Sequence, residues 1–163
     1  MDERVLIARA DTLPRPQPGL YRTTNTLVSF AMADPGPADE AFARENLRTG
    51  IESQGEHCIT AAQAARGYRP MLEAMNEDQC RFDRFDVDGE RAAAEIDCGQ
   101  QGAATMQIAM TMTARATSSR MESRVVQTGP DVPGQRLELV RLTESERIGE
   151  CPAPAPPQAA APG

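Results

Sequence analysis

The sequence predicts an all-β domain carrying one or two short helices, an antiparallel meander that forms a small barrel or a strongly curved sheet. Three observations predict it. Seven segments have the composition of strands, and most are joined by short turns rather than crossovers. Residues 103–114 alternate with period two: Met106, Ile108, Met110 and Met112 share one face, and Thr105, Gln107, Thr111 and Thr113 the other. Four cysteines, Cys58, Cys80, Cys98 and Cys151, include no CxxC pair and read as two disulfides. A closed barrel hides its strand edges, as does a curved sheet with residues 60–75 packed over it; a two-sheet sandwich is the remaining arrangement.

Taken in order, residues 1–17 are an extended N-terminal lead-in, with three prolines and a glycine between Leu13 and Gly19. Residues 18–151 are a single disulfide-linked β-domain. Leu20 to Ala31 form its first long strand, with Leu20, Arg22, Thr24, Thr26, Val28 and Phe30 on one face. Two prolines and a glycine then break the pattern. Asp39 to Thr49 is helical, and Gly50 supplies a stop at C′. Ile51 to Ile59 is a short strand. Thr60 opens a capping box with Gln63, placing a helical turn over Ala61 to Ala65 that Gly67 ends. Pro70 suits a helix start, so Met71 to Met75 is a second short turn.

From Cys80 onward the pattern is hairpins. Arg81 to Val87 and Arg91 to Cys98 flank the turn dipeptide Asp88-Gly89. Turns follow at Gly99 to Gly102 and at Ser118-Ser119, either side of the strand at 103–114. Met121 to Thr128 is the next strand, Gly129 to Gly134 a loop, and Gln135 to Leu142 the last clear strand before Ile148 leads to Cys151. Residues 152–163 contain only Pro, Ala, Gln and Gly, have little to bury, and are a disordered tail.

Composition narrows the function classes. At 163 residues and 40% hydrophobic content the chain supports one packed core. With 4% aromatics and no Trp, that core is built from Val, Ile, Leu, Met and Ala. A net charge of −7 without a basic cluster argues against nucleic acid and anionic lipid as partners. No apolar run is long enough to span a bilayer, so no transmembrane segment is expected. Met1-Asp2-Glu3-Arg4 and the brief apolar stretch to Ala8 do not make a signal peptide. Two disulfides require export, so the expectation is a periplasmic or secreted protein whose signal peptide has been removed. The alternative is a cytosolic protein with four reduced, buried cysteines.

Four cysteines allow three pairings. Cys80 and Cys98 are equidistant from Gly89. A turn centred there sets them opposite each other, with Phe82 facing Ile96 and Arg81 facing Asp97. The same register opposes Asp83 to Glu95, which is unfavourable. It favours Cys80–Cys98 and leaves Cys58–Cys151.

The motifs Pro18-Gly19-Leu20-Tyr21, Cys58-Ile59-Thr60-Ala61-Ala62-Gln63-Ala64, the Cys80 to Cys98 spacing around a central glycine, and Arg147-Ile148-Gly149-Glu150-Cys151 occur in that order. In this the chain, from Pro18 to Cys151, resembles a family of small exported bacterial proteins, domain of unknown function 3617. Members of that family typically have Trp where this chain has Tyr21. Their first loop is often rich in Met and Gly where this one is charged and helical. The resemblance implies an exported, largely periplasmic protein and an all-β fold. It implies no catalytic residues, because the family has no established activity.

The residues themselves offer little chemistry. His57 is the only histidine, between Glu56 and Cys58; a bridged Cys58 leaves it no thiolate partner. Met71, Met75, Met106, Met110 and Met112 could line a Cu(I) site, but methionine is also adaptable core filler in a chain short of aromatics. Glu73, Glu77 and Asp78 lack the spacing of a calcium loop. GxSxG, P-loop, GxGxxG and HExxH patterns are absent. The expectation is a non-enzymatic exported domain, without a cofactor, that binds an apolar small molecule or an envelope protein. The alternatives are a structural or accessory envelope protein acting through its surface, and Met-based Cu(I) binding.

Overall fold

Seven strands form one antiparallel sheet in the computed structural model, which describes residues 1–101 and 103–153. In chain order the elements are α1 (Glu3–Ala10), β1 (Gly19–Met32), α2 (Pro37–Ile51), β2 (Ser53–Ile59), α3 (Ala61–Arg66), α4 (Arg69–Glu77), β3 (Arg81–Asp88), β4 (Arg91–Gln101), β5 (Ala104–Ala114), β6 (Ser118–Thr128) and β7 (Arg136–Gly149). The strand order is β2-β1-β7-β6-β5-β4-β3. β2 and β3 lie at opposite ends and do not pair, so the sheet is open. The barrel expected as one alternative is not formed, and the open curved sheet is the arrangement that fits. No second sheet faces it among the described residues, which removes the sandwich.

The first difference from the sequence reading is at the N-terminus. Residues 3–10 form a helix inside the segment expected to be an extended lead-in. Asp2 caps it by accepting a hydrogen bond from the Arg4 amide, and Glu3 sits in its first turn, where a carboxylate favours the helix dipole. Leu6, Ala10 and Leu13 follow at intervals of four and three residues, and all are buried. Arg9 donates to the main-chain carbonyl of Phe85, which occupies part of the free edge of β3. The free edge of β3 is therefore partly covered by a helix of only eight residues.

The helices between β1 and β2 and after β2 follow the sequence signals closely. Thr60 Oγ1 accepts from the Gln63 amide at 3.2 Å, and Gln63 Oε1 accepts from the Thr60 amide at 2.9 Å, completing the capping box of α3. Gly67 ends α3 at φ +56°. α2 runs through Gly50 rather than stopping there, and packs against β1 through the fully buried Ala43. Arg69 forks onto Asp11, Nε–Oδ1 3.2 Å, and so ties α4 to the end of α1.

The hairpin β3–β4 shows how the register settles. Gly89, at φ +59°, and Glu90 form a two-residue turn that pairs Asp88 with Arg91 and Arg84 with Glu95. A β-bulge at Asp83 then shifts the pairing by one residue, restoring Phe82 opposite Ile96 and Arg81 opposite Asp97. The bulge replaces the unfavourable Asp83–Glu95 opposition with an Arg84–Glu95 ion pair at 3.7 Å. It also puts Phe82 and Phe85, three residues apart, on the same face, where their rings meet edge to face at 5.8 Å. Cys80 and Cys98 follow in this register and are disulfide-bonded.

Two turns fall elsewhere than expected. β4 continues through Gly99 to Gln101, with an irregularity between Asp97 and Gln100, and Gly102 lies outside the described residues. Ser118 and Ser119 already belong to β6, and residues 115–117 turn the chain. β7 is longer than expected, running unbroken to Gly149. Leu20 of β1 is flanked by Cys58 on β2 and by Gly149 on β7. Cys151, two residues past that point, is bonded to Cys58, strapping the segment after β7 across the start of β1. Gly19 permits this crossing: a Cβ there would lie 2.3 Å from Arg147 Nε and 2.7 Å from the Gly149 carbonyl oxygen. Of the tail expected to be disordered, residues 154–163 lie outside the described residues.

Candidate binding face

The two faces of the sheet differ in kind. On the outer face arginines and carboxylates pair across strands, Arg124–Glu138 at 2.9 Å and Arg120–Glu144 at 3.9 Å, and Arg115–Glu90 at 3.1 Å joins two turns. These exposed pairs neutralise one another and contribute at most ~1 kcal/mol each. An open groove of about 520 Å³ over Arg22, Thr113, Arg115, Arg120, Glu144 and Glu146 mixes both signs, and each of its three arginines is already paired with a carboxylate.

The inner face bears the helices and the core. Leu6, Ala10, Leu13 and Leu72 from the helical layer pack with Phe82, Phe85, Ala92, Ala94, Ile96, Cys98, Met110, Met112 and Ala114. Over β3, β4 and most of β5 the face is therefore filled. Met106, Met110 and Met112 do share this face, and Met71 and Met75 pack against the same cluster. Met110 is 5% and Met112 8% exposed, as expected of core methionines.

Cross-strand register organises the rest of the inner face into rows. One row is wholly apolar: Phe30, Leu139, Val125, Ile108, Ile96 and Phe82, from β1, β7, β6, β5, β4 and β3. Ile96 and Phe82 are buried, whereas Phe30, Leu139, Val125 and Ile108 remain half-buried. The helical cover thus seals one end of the row and leaves the β5–β6–β7–β1 end partly open to solvent.

The adjacent row reads Leu27, Arg141, Ser123, Met110, Ala94 and Phe85. Five of these six are at most 6% exposed. The sixth is Arg141, half-buried, with no ion-pair or hydrogen-bond partner among the described residues. Its Nε is buried and unsatisfied. Ser123, its direct neighbour on β6, is 4% exposed, and its Oγ is likewise buried without a partner. Each such group forfeits ~1–3 kcal/mol of hydrogen bonding with water. One pair further along, Thr143 Oγ1 donates to Asn25 Oδ1 at 2.7 Å, and Thr23 and Ser145 hydroxyls meet at 3.0 Å; those polar groups are satisfied.

His57 lies at the far end of β1–β2, its ring stacked on Tyr21 at 6.1 Å between centroids. The Tyr21 hydroxyl is 2.6 Å from the Gln17 carbonyl and 3.1 Å from that of Ala116. Burial raises the Tyr21 pKa and pushes that of Tyr68, which also feels Tyr21, up to about 12. Among the described residues no hydrogen-bond or ion-pair partner is drawn toward the His57 ring, and Cys58 beside it is in a disulfide. Glu73 pairs with Arg66 at 2.6 Å, which takes it out of the acidic cluster with Glu77 and Asp78. No group of three or more His, Cys, Asp or Glu able to hold a metal occurs among the described residues.

The four cysteines foreseen as disulfide residues are thus brought together in two pairs, while Arg141 and Ser123 were not among the residues singled out from sequence. An exposed ion-paired face, a helix-covered apolar face and two disulfides define a small disulfide-strapped β-sheet domain. The chain belongs to a family of proteins of unknown function, DUF3617, whose family model matches residues 16–151. No curated protein and no solved structure matches the chain. No helix is long and apolar enough to cross a membrane, and the two disulfides are compatible with an extracytoplasmic location.

Proposed function

We propose that this is a non-enzymatic exported binding domain that takes an apolar or amphiphilic small molecule on the part of its inner face that the helices leave open. The observation that carries this is the half-buried stretch Ile108, Val125, Leu139 and Phe30, continuous with a sealed core yet itself unsealed. Burying such a face against a ligand is favourable by ~25 cal/mol per Å² of apolar surface. The sealed Met110–Met112 region leaves this strip, rather than a hollow interior, as the place for a ligand. Saturable binding of the uncharged fluorescent probe N-phenyl-1-naphthylamine is expected, weakened about tenfold or more by Leu139→Gln, which puts an amide in the strip. Absence of saturable binding, together with a bare polypeptide mass by native mass spectrometry of protein purified without detergent, contradicts it.

A second reading, an envelope protein as partner, is favoured by β2. That strand is paired on one side only, and five of its seven residues are exposed. An exposed edge accepts an added strand. A photo-crosslinker at Glu56 should then capture one defined envelope protein in cells, lost when Gly55 is replaced by Pro; labelling of no protein, or capture that survives Gly55→Pro, excludes it.

A further inference from the structure

We infer that Arg141 and Ser123 form an anchor for a carboxylate, and that the ligand is a single-chain acidic amphiphile of the fatty-acid kind. This rests on the binding face proposed above and specifies its chemistry. Three observations point to it. Arg141 stands in the middle of the inner face, in a row whose other five members are buried, and has no anionic partner among the described residues. Arg4, Arg15, Arg44 and Arg91 also lack an ion pair among the described residues, but they are exposed, whereas Arg141 is half-buried with its Nε shut off from water. Independently, Ser123 Oγ is nine-tenths buried, has no hydrogen-bond partner, and belongs to the residue directly opposite Arg141 on the next strand. A guanidinium and a hydroxyl on neighbouring strands, both with unused donors, match the oxygens of one carboxylate.

The surroundings select the rest of the ligand. One row away, Phe30, Leu139 and Val125 offer half-buried apolar surface along which an alkyl chain can lie. On the other side of Arg141 the row of Asn25 and Thr143 has already spent its hydrogen bonds on each other, so it competes less for the headgroup. A doubly charged headgroup would leave a negative charge over, because Arg141 is the one cation in these three rows among the described residues. A carboxylate meets that count and a phosphate monoester does not.

The test compares dodecanoate with dodecanol, below the concentration at which either aggregates, at pH 8. Calorimetric titration of the wild-type protein is expected to show dodecanoate binding about tenfold or more tightly than dodecanol. Arg141→Gln should abolish that preference, leaving the two ligands equal, and Arg141→Lys should restore part of it. Because Arg141 has no partner to lose, the ligand-free Arg141→Gln protein should unfold at a temperature no lower than wild type. A second readout is the ¹³C-carboxyl titration of labelled dodecanoate: its pKa should be depressed on wild type and relieved on Arg141→Gln. Equal binding of acid and alcohol by wild type overturns the anchor while leaving the apolar face standing. A preference for the acid that survives Arg141→Gln also overturns it. Binding of neither ligand overturns both the anchor and the reading on which it rests.

Discussion

Replacing Leu6 by Ala should cost about 2–4 kcal/mol, and so should replacing Leu13. Leu6 is 7% and Leu13 4% exposed, and both belong to the cluster that contains Phe82, Phe85 and Leu72. Truncation removes most of the apolar surface each buries, ~1.5–3 kcal/mol by transfer alone. The cavity left against the rigid sheet adds to this, although α1 sits at the margin of the domain and can settle slightly, which holds the total below the extreme. In urea unfolding followed by far-UV circular dichroism the midpoint should fall at unchanged slope. In a domain of this size the melting temperature should drop by ~5–12 °C. Val5, 41% exposed on the same helix, is the control, and Val5→Ala should change stability by less than ~0.5 kcal/mol. If Leu6→Ala and Leu13→Ala behave like Val5→Ala, α1 is not part of the core and residues 1–17 are a detached lead-in.

Three further outcomes follow from the same geometry. Replacing Cys58 and Cys151 together by Ser should lower stability by up to about 4–5 kcal/mol in the chain-entropy model, because the bridge spans 93 residues. Loss of amide protection should begin in β2, and protection lost first in β3–β5 instead contradicts the strap. Spectrophotometric titration of the phenols should find Tyr68 ionising near pH 12. The folded value lies above the unfolded one near 10, so this contribution to stability is intact below about pH 10 and is lost as pH rises toward 12. A phenol at Tyr68 that titrates near 10 in the folded protein contradicts its burial. Deleting Asp83 removes the extra residue of the bulge and leaves a regular ladder in which Arg84 still faces Glu95, Phe82 still faces Ile96 and Cys80 still faces Cys98. The deletion variant should therefore keep the Cys80–Cys98 link in a peptide map, and loss of that link would contradict the bulge at Asp83.

The strands were legible because they are half-buried, and half-burial writes period two into the sequence. β5 shows it most openly, with Met106, Ile108, Met110 and Met112 all on the core face. The capping box at Thr60 was legible for an equally local reason, since its two hydrogen bonds need only residues three apart. α1 was hidden because its apolar residues, Leu6, Ala10 and Leu13, run on into a proline-rich segment and its cap, Asp2, stands at the very start. The first strand reads as one unbroken alternation that puts Leu20, Arg22, Thr24, Thr26, Val28 and Phe30 on one face, and the structure breaks it. Tyr21 and Leu27 turn inward, and a bulge at Val28 then brings Phe30 and Met32 to the same side, a change of parity that alternation alone does not reveal. The proposed binding face was hidden for a further reason. In Leu137-Glu138-Leu139-Val140-Arg141-Leu142 an arginine two residues after a leucine looks like an ordinary surface charge. Only pairing with Leu27 on one side and Ser123 on the other shows that it stands among buried neighbours.

The central claim is that the open part of the inner face, with Arg141 at its middle, holds an acidic amphiphile. NMR titration of ¹⁵N-labelled protein with dodecanoate, recording backbone amides and arginine Nε–H groups, tests it most directly. The account predicts saturable shifts at Leu27, Ser123, Val125 and Leu139, with the Arg141 Nε–H signal moving downfield as it gains an acceptor. Shifts confined to β2 or to the outer face, or an Arg141 Nε–H signal that does not move, would contradict it.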